Sequence, residues 1–267
     1  MPLEQVLLLL TAAAGAGWID AVVGGGGLLQ LPAILVTGMP PVEAMATNKL
    51  SSVFGTTSAA VAYARSTKVD RQVAIPGAAM AMVSAGLGAW AAASISAEVL
   101  RPAVMVVLVA VAVFVTLRPG MGAVPVPHLR TPSRVVAAVA AAGVGIAFYD
   151  GIMGPGTGTF LIIAFTTILG LDFVSASASA KIINIGTNVG ALAVFAVQGH
   201  VQWALGLGMA VCNVAGGAVR GADGTQAGHG VRPDRAAGRG RGHGDQARLA
   251  AVRLTRTRGP VARTRRK

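Results

Sequence analysis

The chain of 267 residues is too apolar for an ordinary soluble protein: 54% of its residues are hydrophobic, 12% are charged, and the mean hydropathy is +0.66. Soluble domains carry about 25% charged residues, so the composition excludes a typical soluble enzyme and indicates several membrane segments. The formal net charge of +12 is uneven, because residues 1–219 hold nine Lys or Arg and seven Asp or Glu, whereas residues 220–267 hold thirteen and three.

The predicted fold is all-α: a polytopic membrane protein with two repeats of about four transmembrane segments each. A membrane helix needs about 20 largely apolar residues. In the first repeat, residues 1–117, such stretches lie at 3–37, 44–64, 72–93 and 99–117. A polar linker follows at 118–134. In the second repeat, residues 135–219, the stretches lie at 135–169, 178–198 and 203–219, and the last segment is missing.

Residues 220–267 are predicted to form a basic, disordered tail outside the transporter fold. They contain no aromatic residue and consist mostly of Arg, Gly, Ala, Thr, Asp, Pro and His. This composition is typical of GC-rich coding sequence read in the wrong frame. The tail also occupies the place where a last apolar segment is expected. We therefore interpret it as frameshifted. The alternative is a genuine basic tail that contacts anionic lipid headgroups.

Two similar motifs, about 130 residues apart, indicate an internal duplication. Residues 17–27 and 147–158 each contain an aspartate followed by a glycine cluster, so that Asp20 corresponds to Asp150. A second motif follows each glycine cluster, and in it Lys49 corresponds to Lys181. Duplicated halves with interrupted helices are typical of transporters. The repeats are parallel or inverted according to whether each broken segment crosses the membrane once or re-enters, and the sequence leaves both arrangements open.

The glycine clusters at 24–27 and 154–158 are expected to break the first segment of each repeat. An interior glycine costs a helix about 1 kcal/mol relative to alanine, and irregular backbone at membrane depth must be buried in protein or line a wet cavity. A helix that restarts after such a break presents free N–H groups to an anion. The candidate anion-binding residues are therefore Gly26, Gly27, Gly156, Thr157 and Gly158. The alternative is close helix packing through small residues.

Asp20 and Asp150 lie just before the glycine clusters, inside apolar sequence. A charged side chain at mid-membrane is costly and is usually functional. Each carboxylate is predicted either to cap the restarted helix or to carry a coupling proton, and the two roles are compatible.

A polar stripe begins at the lysine of each second motif. Residues three and seven positions apart share a helix face, so each stripe must face protein or water. The candidate substrate-binding residues are Asn48, Lys49, Ser52 and Thr56 in the first repeat and Lys181, Asn184 and Asn188 in the second. The two lysines are expected to supply positive potential to one shared cavity. The alternatives are structural hydrogen bonding and extension of the lysines to the headgroups.

The basic loops at 65–71 and 118–134 carry six Lys or Arg, whereas the loop at 94–101 carries one. The positive-inside rule places such basic loops in the cytoplasm. The loops at 38–43 and 170–176 are then expected to face outward.

These motifs resemble the TauE/SafE family of sulfite and organosulfonate exporters, also called toluene sulfonate uptake permeases. The matching stretches are residues 17–28, 40–49 and 55–56 in the first half and 149–160, 180–181, 188–192 and 199–201 in the second. The resemblance covers residues 1 to about 217 and implies about eight membrane segments in two repeats. It also implies transport of sulfur-containing anions such as sulfite, thiosulfate or sulfonates. Family members end with a further apolar segment, which the basic tail of this chain replaces.

The predicted function is therefore that of a multi-pass cell-membrane (inner- or plasma-membrane) permease or exporter of small sulfur-containing anions. Its expected partners are that anion and the lipid bilayer, with no nucleic acid; a homo-oligomer is compatible with the sequence. No cofactor or metal is expected. An enzyme is disfavoured because neither a His-Glu-x-x-His nor a Gly-x-Ser-x-Gly motif occurs. A non-transporting membrane scaffold and a transport-defective truncated relative stay open as alternatives.

Overall fold

The computed structural model describes residues 1–21, 25–117 and 125–222. Within these ranges the chain forms helices and short turns, without a β-strand. The first half contains α1 (Leu3–Asp20), α2 (Gly27–Val36), α3 (Pro41–Ser66), α4 (Arg71–Ala93) and α5 (Ala97–Leu117). After a single 3-10 turn (Pro127–Leu129), the second half contains α6 (Pro132–Ala140), a π-helical stretch (Ala141–Ile146), α7 (Ala147–Ile152), α8 (Thr157–Leu169), α9 (Phe173–Val197) and α10 (Trp203–Ala222).

Five helical spans among the described residues are long and apolar enough to cross a membrane. They are Leu3–Asp20, Arg71–Ala93, Ala97–Phe114, Pro132–Ile152 and Phe173–Val197. The helices α2 and α8 are apolar but shorter, with 10 and 13 residues. The prediction of an all-α polytopic membrane protein is confirmed.

The helices α3 and α9 begin earlier than predicted from hydropathy. Pro41 occupies the first position of α3, where its fixed φ suits a helix start. The side chain of Asp172 caps α9 by accepting hydrogen bonds from the backbone N–H groups of Val174 and Ser175, both at 3.0 Å. The predicted starts at 44 and 178 were therefore too late. Lys49 and Lys181 each lie eight positions after the first helical residue, about 12 Å along the axis.

The cap at the start of α9 also sets the acidity of Asp172. Burial by itself would raise the pKa of this carboxyl, but the hydrogen bonds from Ser175 and Val174 together outweigh burial and hold its pKa below the ordinary value of 3.8. The carboxylate is therefore ionised at neutral pH, as a cap at a helix N-terminus requires.

The two ends of the helix bundle can be told apart by contacts between loops. At the linker end, Arg130 donates two hydrogen bonds to the carboxylate of Asp70, at 2.9 and 3.0 Å, and Val126 N–H donates to the Gly170 carbonyl at 2.8 Å. The opposite end contains the loops at 37–40, 94–96 and 198–202. There Arg101 donates to the Met39 carbonyl at 3.0 Å, and Gln202 donates to Glu43 at 3.0 Å.

Both broken segments are re-entrant hairpins, and they enter from opposite ends. The α1–α2 hairpin starts and finishes at the opposite end, where Leu9 and Leu35 share one hydrophobic core with the start of α3. The hairpin from α6 to α8 starts and finishes at the linker end, where Ala138 and Phe165 share a second core. The corresponding segments of the two halves therefore run in opposite directions, as in an inverted repeat.

The expectation that the loops at 38–43 and 170–176 share the outward face is wrong. Gly170 lies beside the linker, whereas Gly38 and Met39 lie at the opposite end beside Arg101. The expectation assumed that a broken segment crosses the membrane once. A hairpin instead returns the chain to the end from which it entered, which reverses every later loop.

We expect cysteines at Ser66 and Leu171 to be protected together from a membrane-impermeant thiol reagent added outside intact cells, and a cysteine at Ser96 to react. Ser66 is the last residue of α3 and Leu171 lies in the loop between α8 and α9, both at the linker end, whereas Ser96 lies in a loop of the opposite end. The basic loops should place the linker end in the cytoplasm. The measurement is labelling in a Cys212→Ala background.

Permeabilised cells provide the control, because all three cysteines should then react. Labelling of Ser66→Cys and Leu171→Cys from opposite sides would contradict the re-entrant hairpin. Labelling of both from outside, with Ser96→Cys protected, would reverse the predicted orientation only.

The helix α4 and its counterpart α10 each pack on the other half of the chain. The helix α4 packs most extensively against α9 and α7, and α10 packs against α1 and α3. Small residues permit the close approach: a Cβ at Gly190 would meet the Met82 carbonyl of α4, and a Cβ at Gly216 would meet the Ala14 carbonyl of α1. The two halves are thus interlocked around their shared centre.

The helix α10 extends to Ala222, three residues beyond the predicted end of the second repeat at 219. The guanidinium of Arg220 lies over the Trp18 ring of α1, 4.5 Å from its centroid. Arg220 therefore belongs to the folded bundle and not to the predicted tail. The described residues do not include 118–124 in the linker or 223–267. The predictions of a disordered tail and of a missing last segment concern residues outside the described ranges.

Candidate functional site

A small polar cavity lies where the two helix breaks meet the middle of α3 and α9. Its volume is about 30 Å³, room for one or two ordered waters. The lining residues are polar, charged or glycine, and no apolar side chain contributes: Asp20, Gly27, Asn48, Lys49, Ser52, Thr56, Asp150, Gly154, Gly156, Thr157, Gly158, Asn184 and Asn188. Such a lining suits a small hydrophilic ligand.

Twelve of the residues selected from the sequence line this cavity, and two do not. The exceptions are Gly26 and Lys181. One lining residue was not selected, namely Gly154, although it belongs to the predicted glycine break. Its φ of +88° requires the conformational freedom of glycine, and a glycine cluster inside a membrane segment was the signal available in the sequence.

Lys49 and Asp150 form a buried ion pair between the two halves of the chain. The Lys49 Nζ lies 2.6 Å from Asp150 Oδ2, and the two side chains are 4% and 2% exposed. The other carboxylate oxygen, Oδ1, accepts a hydrogen bond from the Thr157 hydroxyl at 2.6 Å. The charge of Lys49 is therefore balanced by Asp150, and the expectation that Lys49 supplies positive potential to the cavity stays a prediction.

Lys181 has a different environment, although it occupies the corresponding position. Its Nζ donates to the Asp20 backbone carbonyl at 2.5 Å and lies 5.2 Å from the centroid of the Tyr63 ring. Asp20 is the last residue of α1, and carbonyls at a helix C-terminus lack partners within their own helix. Lys181 therefore stabilises the end of α1 and does not line the cavity.

The two aspartates hold the helix breaks through different hydrogen bonds. Asp20 Oδ1 accepts from the Gly26 N–H at 2.9 Å, six positions later, and Gly26 immediately precedes α2. Asp150 accepts from the hydroxyl of Thr157, seven positions later, whereas the corresponding Gly27 has no side chain. Both carboxylates therefore stabilise the start of the next helix by accepting a hydrogen bond from it. The second break is fastened further by Tyr149, whose hydroxyl donates to the Pro155 carbonyl at 2.6 Å.

The start of α8 directs backbone towards the cavity. Gly156 precedes α8 with a φ of +77°, and Gly156, Thr157 and Gly158 all line the cavity. The first N–H groups of a helix have no acceptor within that helix and carry the positive end of its dipole. A helix of 13 residues thus presents its positive end to the cavity.

Several lining side chains have hydrogen-bonding capacity that the rest of the described chain does not use. The hydroxyls of Ser52 and Thr56 have no partner among the described residues, and neither does the buried Oδ1 of Asn48. Unsatisfied polar groups at a buried site are costly unless water or a ligand satisfies them. The cavity therefore offers hydroxyl, amide, ammonium and backbone groups to one small guest.

Comparisons with known proteins identify the family of the chain. A family model described as "Sulfite exporter TauE/SafE" matches residues 9–235. A "Probable membrane transporter protein ORF9" from Sinorhizobium sp is 39% identical over 211 residues, which cover 79% of this chain and 80% of the relative. The "Probable membrane transporter protein YfcA" of Escherichia coli K12 is 36% identical over 204 residues, 76% of this chain and 75% of the relative.

A more distant "Probable membrane transporter protein" from Haemophilus influenzae is 29% identical over 214 residues, 80% of this chain and 83% of the relative. No solved structure matches the chain. The family resemblance that the duplicated motifs indicated is confirmed, and the chain belongs to the sulfite exporter TauE/SafE family of membrane transporters.

Proposed function

We propose that this chain moves small sulfur-containing oxyanions, such as sulfite, thiosulfate or small sulfonates, across the cell membrane through the cavity between the two helix breaks. The observation that carries the proposal is the lining itself: thirteen residues without an apolar side chain, at the centre of a membrane protein. The name of the family supports the sulfur-containing class of substrate.

The groups around the cavity suit a compact oxyanion. The unpartnered hydroxyls of Ser52 and Thr56 are hydrogen-bond donors, and the start of α8 adds backbone N–H groups. Lys49 is the single ammonium group in the lining, and with one carboxylate partner it keeps two N–H donors for another acceptor. The carboxylates of Asp20 and Asp150 also line the cavity, but Gly26, Lys49 and Thr157 donate hydrogen bonds to them. In this proposal the remaining donors stabilise the anion without bulk water.

In this proposal, movement of one half of the chain against the other gives alternating access to the cavity. One hairpin enters from each end of the bundle, and the ion pair between Lys49 and Asp150 joins the first half to the second. In transporters with inverted repeats, movement of one repeat against the other opens the central site to each side in turn. In this proposal the anion competes with Asp150 for Lys49, so that binding loosens the contact between the halves.

The proposal is tested by reconstituting the full chain in liposomes and measuring uptake of sulfur-radiolabelled sulfite, thiosulfate and methanesulfonate. We expect saturable uptake of at least one of these anions, competed by the unlabelled anion. Empty liposomes and the Lys49→Met variant are the controls, and both should give background uptake only.

Background uptake of all three anions by correctly inserted chain would contradict the proposal. That result would favour the scaffold and the transport-defective relative that the sequence left open. Uptake of an unrelated cation or sugar, with none of the sulfur anions, would contradict the substrate class alone.

A further inference from the structure

The carboxamide of Asn184 is held in one orientation by hydrogen bonds within α9. Its Oδ1 accepts from the Thr187 hydroxyl at 3.1 Å and from Asn188 Nδ2 at 3.3 Å. The single hydroxyl proton of Thr187 is shared between this oxygen and the Asn184 backbone carbonyl, which lies 2.9 Å from the hydroxyl oxygen. Because both donors bind the side-chain oxygen, the NH₂ group of Asn184 faces away from Thr187 and Asn188.

The NH₂ group of Asn184 has no partner among the described residues. Asn184 lines the cavity, and its nitrogen is not among the fully buried polar atoms that lack a hydrogen bond, so it opens to the cavity space. An amide nitrogen is a donor with two N–H groups and cannot accept from a ligand. The orientation therefore decides whether α9 offers the cavity a donor or an acceptor.

Thr187 controls this orientation without reaching the cavity. It is completely buried, and it is absent from the lining. We infer that Thr187 is a positioning residue for anion binding: its hydroxyl fixes the Asn184 carboxamide with the N–H groups facing the cavity, which selects oxyanions over ligands that donate hydrogen bonds. This inference rests on the proposed function and adds to it a residue outside the binding surface.

The first half of the chain lacks an equivalent arrangement. The position that corresponds to Thr187 is Gly55, and a Cβ there would meet the side-chain oxygen of Asn213 on α10. The position that corresponds to Asn184 is Ser52, whose hydroxyl rotates freely between donor and acceptor roles. The oriented amide is thus a property of α9, and the two sides of the cavity are chemically different.

The test measures anion uptake by the full chain in liposomes with Thr187→Val, Thr187→Ser and the matched control Thr166→Val. Thr166 is partly buried in α8, and its hydroxyl also donates to the carbonyl three residues earlier, at 3.0 Å. We expect Thr187→Val to raise KM about five- to tenfold, the size of effect typical for one lost hydrogen bond. Maximal uptake should change little. Thr187→Ser and Thr166→Val should keep the wild-type KM.

A double-mutant cycle separates positioning from packing. If Thr187 acts through Asn184, Thr187→Val has no further effect on KM in an Asn184→Ala background, because the group that it orients is gone. A purely structural role would give the same effect in both backgrounds. Asn184→Asp, which keeps the acceptors and removes the N–H groups, should lose saturable uptake.

The outcomes are distinguishable from failure of the proposed function. Absence of uptake by the wild-type chain overturns the proposed function and this inference with it. Wild-type uptake with an unchanged KM in Thr187→Val overturns the inference alone, as does an additive cycle or a wild-type KM in Asn184→Asp. If Thr187→Val fails to fold, the comparison of Thr187→Ser with Thr187→Ala in the same cycle decides.

Discussion

Replacement of Lys49 by methionine is expected to reduce anion uptake to background and to destabilise the folded chain strongly. The substitution leaves the Asp150 carboxylate, 2% exposed, without its cationic partner. Removal of one member of a buried ion pair costs about 3–5 kcal/mol, because the remaining charge is buried and uncompensated. The measurements are uptake in liposomes and the thermal unfolding of the detergent-solubilised protein.

The double variant Lys49→Met with Asp150→Asn separates charge from function. It replaces the pair by neutral groups of similar size, so it should recover much of the lost stability while uptake stays at background. Lys181→Met is the matched comparison from the second half. We expect it to be the milder change, because its ammonium donates to a backbone carbonyl and lies over the Tyr63 ring, and does not bond directly to a carboxylate. Wild-type uptake in Lys49→Met would contradict the proposed site.

Gly156→Ala is expected to destabilise the start of α8 and to lower uptake substantially. Gly156 has a φ of +77°, a conformation that costs other residues roughly 1–2 kcal/mol. In addition, its new Cβ would meet the Val111 side chain of α5. Because Gly156 also lines the cavity, any shift that relieves this contact moves the backbone at the site. Thermal unfolding and KM report the two consequences.

Two other glycines isolate the backbone contribution. Gly38 and Gly199 have φ values of +86° and +77°, and a Cβ at either position would meet no atom within 4 Å. Gly38→Ala and Gly199→Ala should therefore cost less than Gly156→Ala and leave KM unchanged. Val111→Ala combined with Gly156→Ala should recover the steric part only. Equal losses of stability in all three single variants would show that the Val111 side chain moves aside without a cost in stability.

Much of the candidate site could be predicted because its signals are local in the chain. A cluster of glycines weakens a helix locally, because each glycine costs about 1 kcal/mol relative to alanine. Lys49, Ser52 and Thr56 lie at the spacing of one helix face. The structure brings most of the residues selected on these grounds to one cavity. Their role in binding an anion stays a prediction, as do the substrate and the cytoplasmic location of the linker end.

The partners of the charged residues could not be predicted in the same way. Lys49 pairs with Asp150, 101 positions away, and Lys181 reaches Asp20 across 161 positions. Each lysine therefore contacts the other half of the chain. Neither periodicity nor composition contains that information, because a pairing between distant segments depends on how the helices pack.

The amino-acid sequence by itself determined the all-α membrane class, the duplicated motifs, the two helix breaks and the membership of the family. Only the tertiary structure decided that the broken segments are re-entrant hairpins of opposite direction, that Lys181 supports α1 instead of lining the cavity, and that Thr187 orients Asn184. The physical reason is that hydropathy and helix periodicity act over a few turns of chain. The sense of a hairpin and the partner of a buried charge are settled by contacts between helices distant in sequence.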